Sequence, residues 1–274
     1  MRESYSALMT VYRKVRPSNL FESMKSVLNQ TVEPAEFVLV CDGPLTNGLN
    51  ETIARYEESS LVPIKVVHLK ENKGTAIATQ VGLDHCSNDL IMKMDADDIC
   101  ISTRAELQLK EFENNPDLSL CGSYMAEFIG DEDNVVQIRK VPTEYEEIYQ
   151  FSKRRNPFNN ITVMYRKSSV EGVGGYGTLR RAQDYELYAR MLHAGCIAMN
   201  IPEVLSAARL DEDNLARRAT LSNLQGFIKV RWMIHRTGHS SLIDFLIPCC
   251  AQLAYMLIPA RARNVVYKKL LRSS

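Results

Sequence analysis

Short apolar runs alternate with stretches of helical period through the first hundred residues. Continuous apolar runs at Tyr5–Tyr12, Phe37–Cys41, Ile64–Leu69 and Leu90–Met94 predict strands. Between them, Leu20, Phe21, Met24, Val27 and Leu28 recur at helical spacing and predict a helix over Ser18–Gln30. Asn19 with Glu22 three residues later resembles a capping box at its start. Asn50–Ser59 and Gly74–Cys86 read as the next two helices. Strands alternating with helices of this length indicate βαβ units and a mostly parallel sheet.

After Asp98 the rhythm loosens. Thr103–Asn114 predicts a helix ended by Asn115-Pro116, and Leu118–Tyr124 and Asn160–Tyr165 predict short strands. A glycine-rich turn occupies Gly172–Gly177, Gln183–Ala194 predicts a helix and Cys196–Ile201 a strand. From Leu215 onward the pattern is helical throughout, with no internal repeat and no low-complexity linker anywhere.

At 274 residues the chain fits one large domain, or one domain with an appendage. With 45% apolar and 24% charged residues it is neither disordered nor collagen-like, and it is too long to need disulfide staples. The net charge of zero hides an asymmetry: residues 214–274 hold ten basic residues and one acidic residue, so the body before them is acidic. A basic tail on an acidic body predicts that the tail meets something anionic. The seven cysteines are odd in number and include no C-x-x-C, which reads as buried free thiols in a reducing compartment. Met1–Tyr5 runs into a short apolar stretch without the features of a signal peptide, so a cytosolic protein is expected.

The chemistry concentrates at strand ends. Asp95-Ala96-Asp97-Asp98 follows the strand Leu90–Met94, where open α/β sheets bind ligands. Three carboxylates there repel one another and ask for a hard cation, Mg2+ or Mn2+, completed by waters and phosphate oxygens. An EF-hand is excluded, because Cys100 stands where such a loop needs glycine. Asp42 ends a second strand and Tyr12 the first. If those strands are neighbours, Tyr12, Asp42 and Asp95 face one crevice, with a ring to stack on a flat base and a carboxylate to accept its N–H.

These blocks form an ordered series: Thr10-Val11-Tyr12, Val40-Cys41-Asp42-Gly43, Asn72-Lys73-Gly74-Thr75-Ala76, Met94-Asp95-Ala96-Asp97-Asp98, Gly174-Gly175-Tyr176 and Gln183-Asp184-Tyr185-Glu186-Leu187. Over residues 4–210 the chain resembles the family 2 glycosyltransferases with the GT-A fold, a Rossmann-like, mostly parallel sheet flanked by helices. Arg155-Asn156-Pro157-Phe158-Asn159, with Thr162-Val163-Met164 and Arg166-Lys167-Ser168, resembles the bacterial branch of amylovoran type, which builds O-antigen, capsule and exopolysaccharide repeat units. The resemblance implies that Tyr12 and Asp42 hold the uracil of a UDP-sugar and that Lys73 lies near base or ribose. It implies that Asp95 reaches the ribose and metal waters, that Asp97 binds Mn2+ or Mg2+, and that Asp184 is the general base. Asp98, Asn156, Asn159, Gly174, Gly175 and Gln183 would border the donor and acceptor sugars. Two positions depart from the pattern: Thr79 stands where many relatives carry Arg, and Gln183 where Glu is common. A neutral Gln183 leaves the pKa of Asp184 lower than a glutamate would.

The implied reaction is inverting, metal-dependent transfer of a hexose, galactose or glucose, onto a polyprenyl-diphosphate-linked sugar such as GlcNAc-diphosphoundecaprenol, with a β-linkage. Two rivals are weaker. A sugar-1-phosphate nucleotidyltransferase needs a Gly-rich phosphate loop after the first strand, and Tyr12–Pro17 has no glycine. A non-enzymatic sugar-binding protein would not need both Asp97 and Asp184. The G-x-G-x-x-G match at Gly172–Gly177 is late in the chain and lacks the strand, helix and acidic residue of a dinucleotide site.

The expected organisation is a transferase domain over 1–213, with a nucleotide-sugar half to about residue 100 and an acceptor half after it, then a basic helical extension over 214–274. In the extension, Leu242–Ile258 is an apolar run of 17 residues with one charge, Asp244, contains Pro248 and is flanked by basic residues. It is too short for a membrane span, and an apolar surface with a cationic rim suits an anionic membrane interface. A hairpin packed on the domain is the alternative. Peripheral attachment to the inner face of the cytoplasmic membrane is expected, and no nucleic acid partner. His235 and His239 are expected in solvent, Cys249 and Cys250 as apolar filler, and Trp232 in packing.

Overall fold

The computed structural model describes residues 3–210 and 221–257, the last helix at 255–257 and the preceding one at 221–223 by backbone alone. The expected helix over 215–220 and the basic flank after 257 lie outside the described residues.

The first half is a βαβ series: β1 (Tyr5–Val11), α1 (Pro17–Leu28), β2 (Glu36–Cys41), α2 (Asn47–Ser59), β3 (Ile64–His68), α3 (Thr75–His85) and β4 (Leu90–Asp95). A two-residue β5 (Ile99–Cys100), α4 (Arg104–Asn114), β6 (Leu118–Phe128), β7 (Val135–Arg139) and α5 (Tyr145–Ser152) follow. A 3-10 turn at Asn160–Thr162 leads to β8 (Met164–Arg166), α6 (Lys167–Gly172), α7 (Gln183–His193) and β9 (Ile197–Arg209). Helices α8 (Leu221–Arg236) and α9 (Leu242–Leu257) close the described chain.

All the strands form one sheet in the order β3-β2-β1-β4-β8-β6-β9-β5, with β7 added to β6. Strands β1 to β4 are parallel, while β8 is antiparallel to both β4 and β6. Because β2 and β3 lie to one side of β1 and β4 lies on the other, the strand order reverses between β1 and β4. That is the position at which such sheets open a crevice beyond their carboxyl ends.

The parallel strands are apolar at nearly every position because both faces are covered. Alternate residues part between two cores: Ala7, Met9, Phe37, Leu39 and Met92 enter one, with Leu20, Met24 and Phe112 from α1 and α4. Leu8, Val38, Val40 and Ile91 enter the other, with Leu83, Leu187 and Met191 from α3 and α7. At Gly82 the α3 backbone lies so close to the sheet that a Cβ would stand 2.3 Å from Leu8 Cδ1.

Several elements differ from the sequence expectation. Helix α1 starts on Pro17 after Arg16, with no side-chain cap, so Asn19 and Glu22 form no capping box; proline at the first helical position supplies the fixed φ instead. The stretch from Asn160 is a 3-10 turn before a three-residue strand, since its carbonyls are taken by a buried arginine. Strand β9 runs on to Arg209 because it pairs with β6 along the whole of that strand.

The arginine is Arg104, wholly buried. Its guanidinium donates to the carbonyls of Lys93 (3.0 Å), Ile161 (2.7 Å) and Val163 (2.9 Å), to Ser206 Oγ (3.2 Å) and to Gln108 Oε1 (3.0 Å). One planar fork thus joins β4, the 3-10 turn and β9. Each buried acceptor left unpaired costs about 1–3 kcal/mol, so Arg104→Ala is expected to lower stability by about 4 kcal/mol. Arg104→Lys should recover less than half, because one ammonium cannot span three carbonyls. Urea unfolding midpoints of the three proteins check this.

Candidate active site

The register places the candidate residues at one edge. Thr10 pairs with Asp95 across β1 and β4, and Val11 with Cys41 across β1 and β2, so Tyr12, Asp42 and Ala96 each stand one residue past the sheet. The tyrosine ring is exposed over the crevice.

Asp42 is buried, and its carboxylate organises the loop after β3. It accepts from Asn72 Nδ2 (2.8 Å), Lys73 N (2.7 Å) and Gly74 N (3.0 Å). A carboxylate has about four acceptor positions, so about one is left for a ligand. Gly43, at φ +85°, lets this turn touch the Asn72 backbone; a Cβ there would meet Asn72 N at 2.7 Å. The Lys73 side chain is half-exposed, 3.7 Å from Glu71.

The three carboxylates after β4 have different surroundings. Asp95 Oδ1 is 2.6 Å from Nζ of Lys93, which lies on the same face of the strand and is buried. Asp95 Oδ2 accepts from Asn160 Nδ2 at 3.4 Å, and Tyr188 donates to Asn160 Oδ1 at 3.2 Å. Asp98 is buried and accepts the Arg209 N–H at 2.9 Å; burial, then the charges of Asp97 and Asp95, hold its carboxyl well above the usual range. Asp97 reaches solvent in the crevice, and among the described residues it forms no ion pair. Loss of bulk water around it, then the Asp95 charge, raise its carboxyl above the ordinary value. The turn is held from below by Ser23 of α1, which donates to the Asp95 carbonyl at 2.9 Å. The three carboxylates are therefore not an equivalent cluster: Lys93 balances Asp95, a backbone N–H engages Asp98, and Asp97 alone pairs with no other residue among those described.

Among the described residues no three His, Cys, Asp or Glu side chains form a ready-made metal cage. The residues nonetheless fit a hard divalent ion. Asp97 is an open carboxylate made costly by a like charge, and Mg2+ and Mn2+ characteristically combine one or two carboxylates with waters and substrate phosphates.

Asp184 faces this group from the start of α7. Asn156 donates to its Oδ2 at 2.9 Å. Burial raises its carboxyl above the ordinary value, opposed by the Tyr185 N–H and the Lys93 charge, while Asp95 adds to the rise. So Lys93, Asp95 and Asp184 share one field. The helix is entered through Ala182 in the left-handed region at φ 49°, uncommon for a residue with a Cβ. Gln183 is half-buried beside it.

Glu186 is no spare base. It is buried and paired with Arg190 at 2.7 Å, and Arg190 in turn donates to the carbonyls of Val173 and Gly175. With Gln80 Oε1 accepting the Tyr176 N–H at 2.7 Å, this pair pins the turn at Gly174 and Gly175, both at positive φ. Asn159 does not reach the crevice; it is buried and donates to the carbonyls of Ser123 and Arg139. Its neighbour Asn160 touches Asp95. Lys93, Asn160 and Tyr188 went unnoticed in the sequence because they sit inside apolar or mixed runs; the one available signal was a lysine in the middle of a buried strand. Thr79 is buried, with no partner for its hydroxyl among the described residues.

Lys93→Met should leave Asp95 and Asp97 as adjacent uncompensated charges. Breaking a buried pair costs about 3–5 kcal/mol; with Asp95 one-third exposed, a loss near 3 kcal/mol is expected at neutral pH. Lys93→Met/Asp95→Asn should regain most of it. A double-mutant cycle in urea measures the coupling.

Comparison with known proteins identifies the family and the fold. Residues 6–171 match the family model of glycosyl transferase family 2. The UDP-Gal:alpha-D-GlcNAc-diphosphoundecaprenol beta-1,3-galactosyltransferase of Escherichia coli is 32% identical over 268 residues, covering 98% of this chain and 96% of the relative. The amylovoran biosynthesis glycosyltransferase AmsE of Erwinia amylovora is 30% identical over 97% of this chain and 98% of its own length. The mannosyltransferase PcManGT of Pyrobaculum calidifontis, solved with GDP-Man and Mn2+, superposes with a TM-score of 0.64 at 16% identity, covering 98% of this chain and 79% of that one. The chain therefore belongs to the family 2 glycosyltransferases and has their GT-A type of fold.

Proposed function

We propose that this glycosyltransferase moves a hexose, galactose or glucose, from a UDP-sugar to a lipid-diphosphate-linked sugar such as GlcNAc-diphosphoundecaprenol, with inversion and a β-linkage. The observation that carries the reading is Asp184 facing the Asp95–Asp97 edge across one crevice, in a chain aligned almost end to end with a transferase of that named specificity. Assembly of O-antigen or exopolysaccharide repeat units follows from the same likeness.

The uracil would lie on Tyr12, with its N–H toward the remaining acceptor position of Asp42 and the ribose between Lys73 and Asp95. The diphosphate then falls beside Asp97. Mn2+ or Mg2+ held by Asp97, with waters in reach of Asp95, would stabilise the negative charge growing on the departing diphosphate. Asp184 accepts the proton of the acceptor hydroxyl as its oxygen attacks the anomeric carbon from the face opposite the leaving group. Asn156 holds the carboxylate in position. One base and direct displacement invert an α-linked donor to a β-product. The acceptor's lipid keeps it in a bilayer, so the enzyme works at a membrane surface, on the inner face of the cytoplasmic membrane. The basic extension over 214–274, the appendage to a 1–213 transferase domain, is the part that meets it.

EDTA is expected to abolish transfer, and added Mn2+ or Mg2+ to restore it. Asp97→Ala should lose activity at an unchanged unfolding midpoint. Full activity in EDTA removes the metal from the reading.

Asp184→Asn keeps the shape and removes proton acceptance, so transfer should fall by about 10²–10⁴-fold with UDP binding nearly unchanged. A base works deprotonated, so a raised pKa puts the acidic limb of kcat/KM above the ordinary carboxylate range. Asn156→Ala removes a donor to the charged form, raises that pKa further and should move the limb to higher pH. A pH–rate profile in which Asn156→Ala leaves the limb in place points to another base.

A further inference from the structure

Helix α9 is apolar on its outward side as well as on its inward one. Its exposed positions through residue 254 are all apolar, and they include Leu242, Ile243, Leu246, Ile247, Cys250 and Leu253. The five leucines and isoleucines among them are all about half exposed, from 45% at Leu246 to 64% at Ile243. Their spacing of three and four residues makes them one stripe. The opposite side, turned toward the body, carries Phe245, Pro248 and the buried Cys249 together with the polar Asp244 and Gln252.

This orientation is fixed. Ser241 and Asp244 form a reciprocal capping box, with Asp244 N donating to Ser241 Oγ at 3.1 Å and Ser241 N to Asp244 Oδ2 at 3.2 Å. Arg154 of the domain pairs with Asp244 Oδ1 at 2.6 Å. The adjoining α8 is fastened by Val230 and Ile234 against Tyr185 and Ala189 of α7, and by Arg231 donating to the Arg154 carbonyl at 2.8 Å. His239, expected in solvent, is instead buried between the helices, with Nε2 2.7 Å from Ser152 Oγ; burial pushes its pKa down to about 4.

Beside the apolar stripe, α8 exposes Lys229, Trp232 and Arg236 at helical spacing. The Trp232 ring meets Phe245 of α9 at 5.6 Å, so the basic stripe borders the apolar one. Residues 258–274 add five Lys and Arg and no acidic residue. No helix among the described residues is long and apolar enough to cross a membrane.

We propose that the outward face of α9, rimmed by Lys229, Trp232 and Arg236, is the surface that enters the headgroup region of an anionic bilayer. It rests on the reading of the extension as the membrane contact and assigns that contact to a particular helix face. An apolar stripe supplies insertion, an interfacial tryptophan marks its depth, and cations on the rim select anionic lipid.

Trp232 is the single tryptophan of the chain and reports on this face directly. Full-length protein is mixed with phosphatidylglycerol/phosphatidylcholine vesicles and with phosphatidylcholine vesicles, at low and high salt. Binding to the anionic vesicles should shift Trp232 emission to the blue, and lipid with brominated chains should quench it. High salt should weaken binding without abolishing it. Ile243→Glu/Ile247→Glu should lower vesicle partitioning at least tenfold, and Lys229→Glu/Arg236→Glu should remove the preference for anionic lipid. Both variants should keep transfer to a short-chain soluble acceptor within twofold, which shows that they are folded. If the wild type binds vesicles but Ile243→Glu/Ile247→Glu binds equally with unshifted emission, this face is not the contact, although the extension still is. If the wild type stays in the supernatant, both readings fall. If it is then a dimer that the same variant makes monomeric, the face joins two copies of this chain.

Discussion

The buried guanidinium of Arg104 sets the relative positions of the three segments that build the crevice. It donates to carbonyls of β4, of the middle of the 3-10 turn and of the residue that follows the turn, and to a hydroxyl of β9. Two of those acceptors flank the residues that touch Asp95: the Lys93 carbonyl belongs to the lysine that neutralises it, and Ile161 follows the asparagine that bonds it. A buried cation is tolerable only if its donors are used, and here every use is also a positional constraint. Strand β4 therefore cannot shift against the turn without stranding a charge, and the ligand-facing edge inherits that rigidity.

On this frame the chain distributes negative charge unequally. Crowding carboxylates in a low-dielectric crevice raises their pKa values and makes an empty site costly at neutral pH. Lys93 lowers that cost at Asp95 and, at longer range, at Asp184. Asp98 is spent on the Arg209 N–H, which ties the acidic turn to the end of β9. Among the described residues Asp97 at the crevice has no ion-pair partner, and Asp184 has only hydrogen-bond donors and the longer-range charge of Lys93. A charge only partly compensated in this way is one that a cation or a proton can compensate, which is the chemistry the proposed reaction needs at those two points.

The alternation of apolar runs and helical periods made the βαβ half legible from sequence, down to which strand ends carry the acidic and aromatic residues. That worked because a parallel sheet covered on both faces leaves a strong local signal. The second half was less legible. Strand β9 owes its extent to a partner distant in sequence, and the 3-10 turn to an arginine some fifty residues earlier. Among candidate site residues, those at strand ends were visible by position. Asn160 was not, because Asn159 beside it has the same composition and only the turn decides which one faces Asp95. Lys93 hid inside a strand, where a polar residue reads as an interruption until its partner two residues on is known.

The C-terminal helices extend the same logic to a larger scale. In a helix that packs on a domain, the apolar stripe normally faces the core and the polar side faces water. Here Asp244 is bound inward by Arg154 and a capping serine, so α9 cannot rotate to bury its leucines and isoleucines without breaking an ion pair and its own N-terminal cap. The outward apolar face is thus fixed by the ion pair and the cap, while Phe245 and Cys249 supply the apolar contact on the inward side. Such an arrangement is unfavourable in water and favourable at an interface that takes up apolar surface. The same Arg154 lies two residues from Asn156, which donates to Asp184, so one loop connects the anchored helix to the proposed base across the crevice.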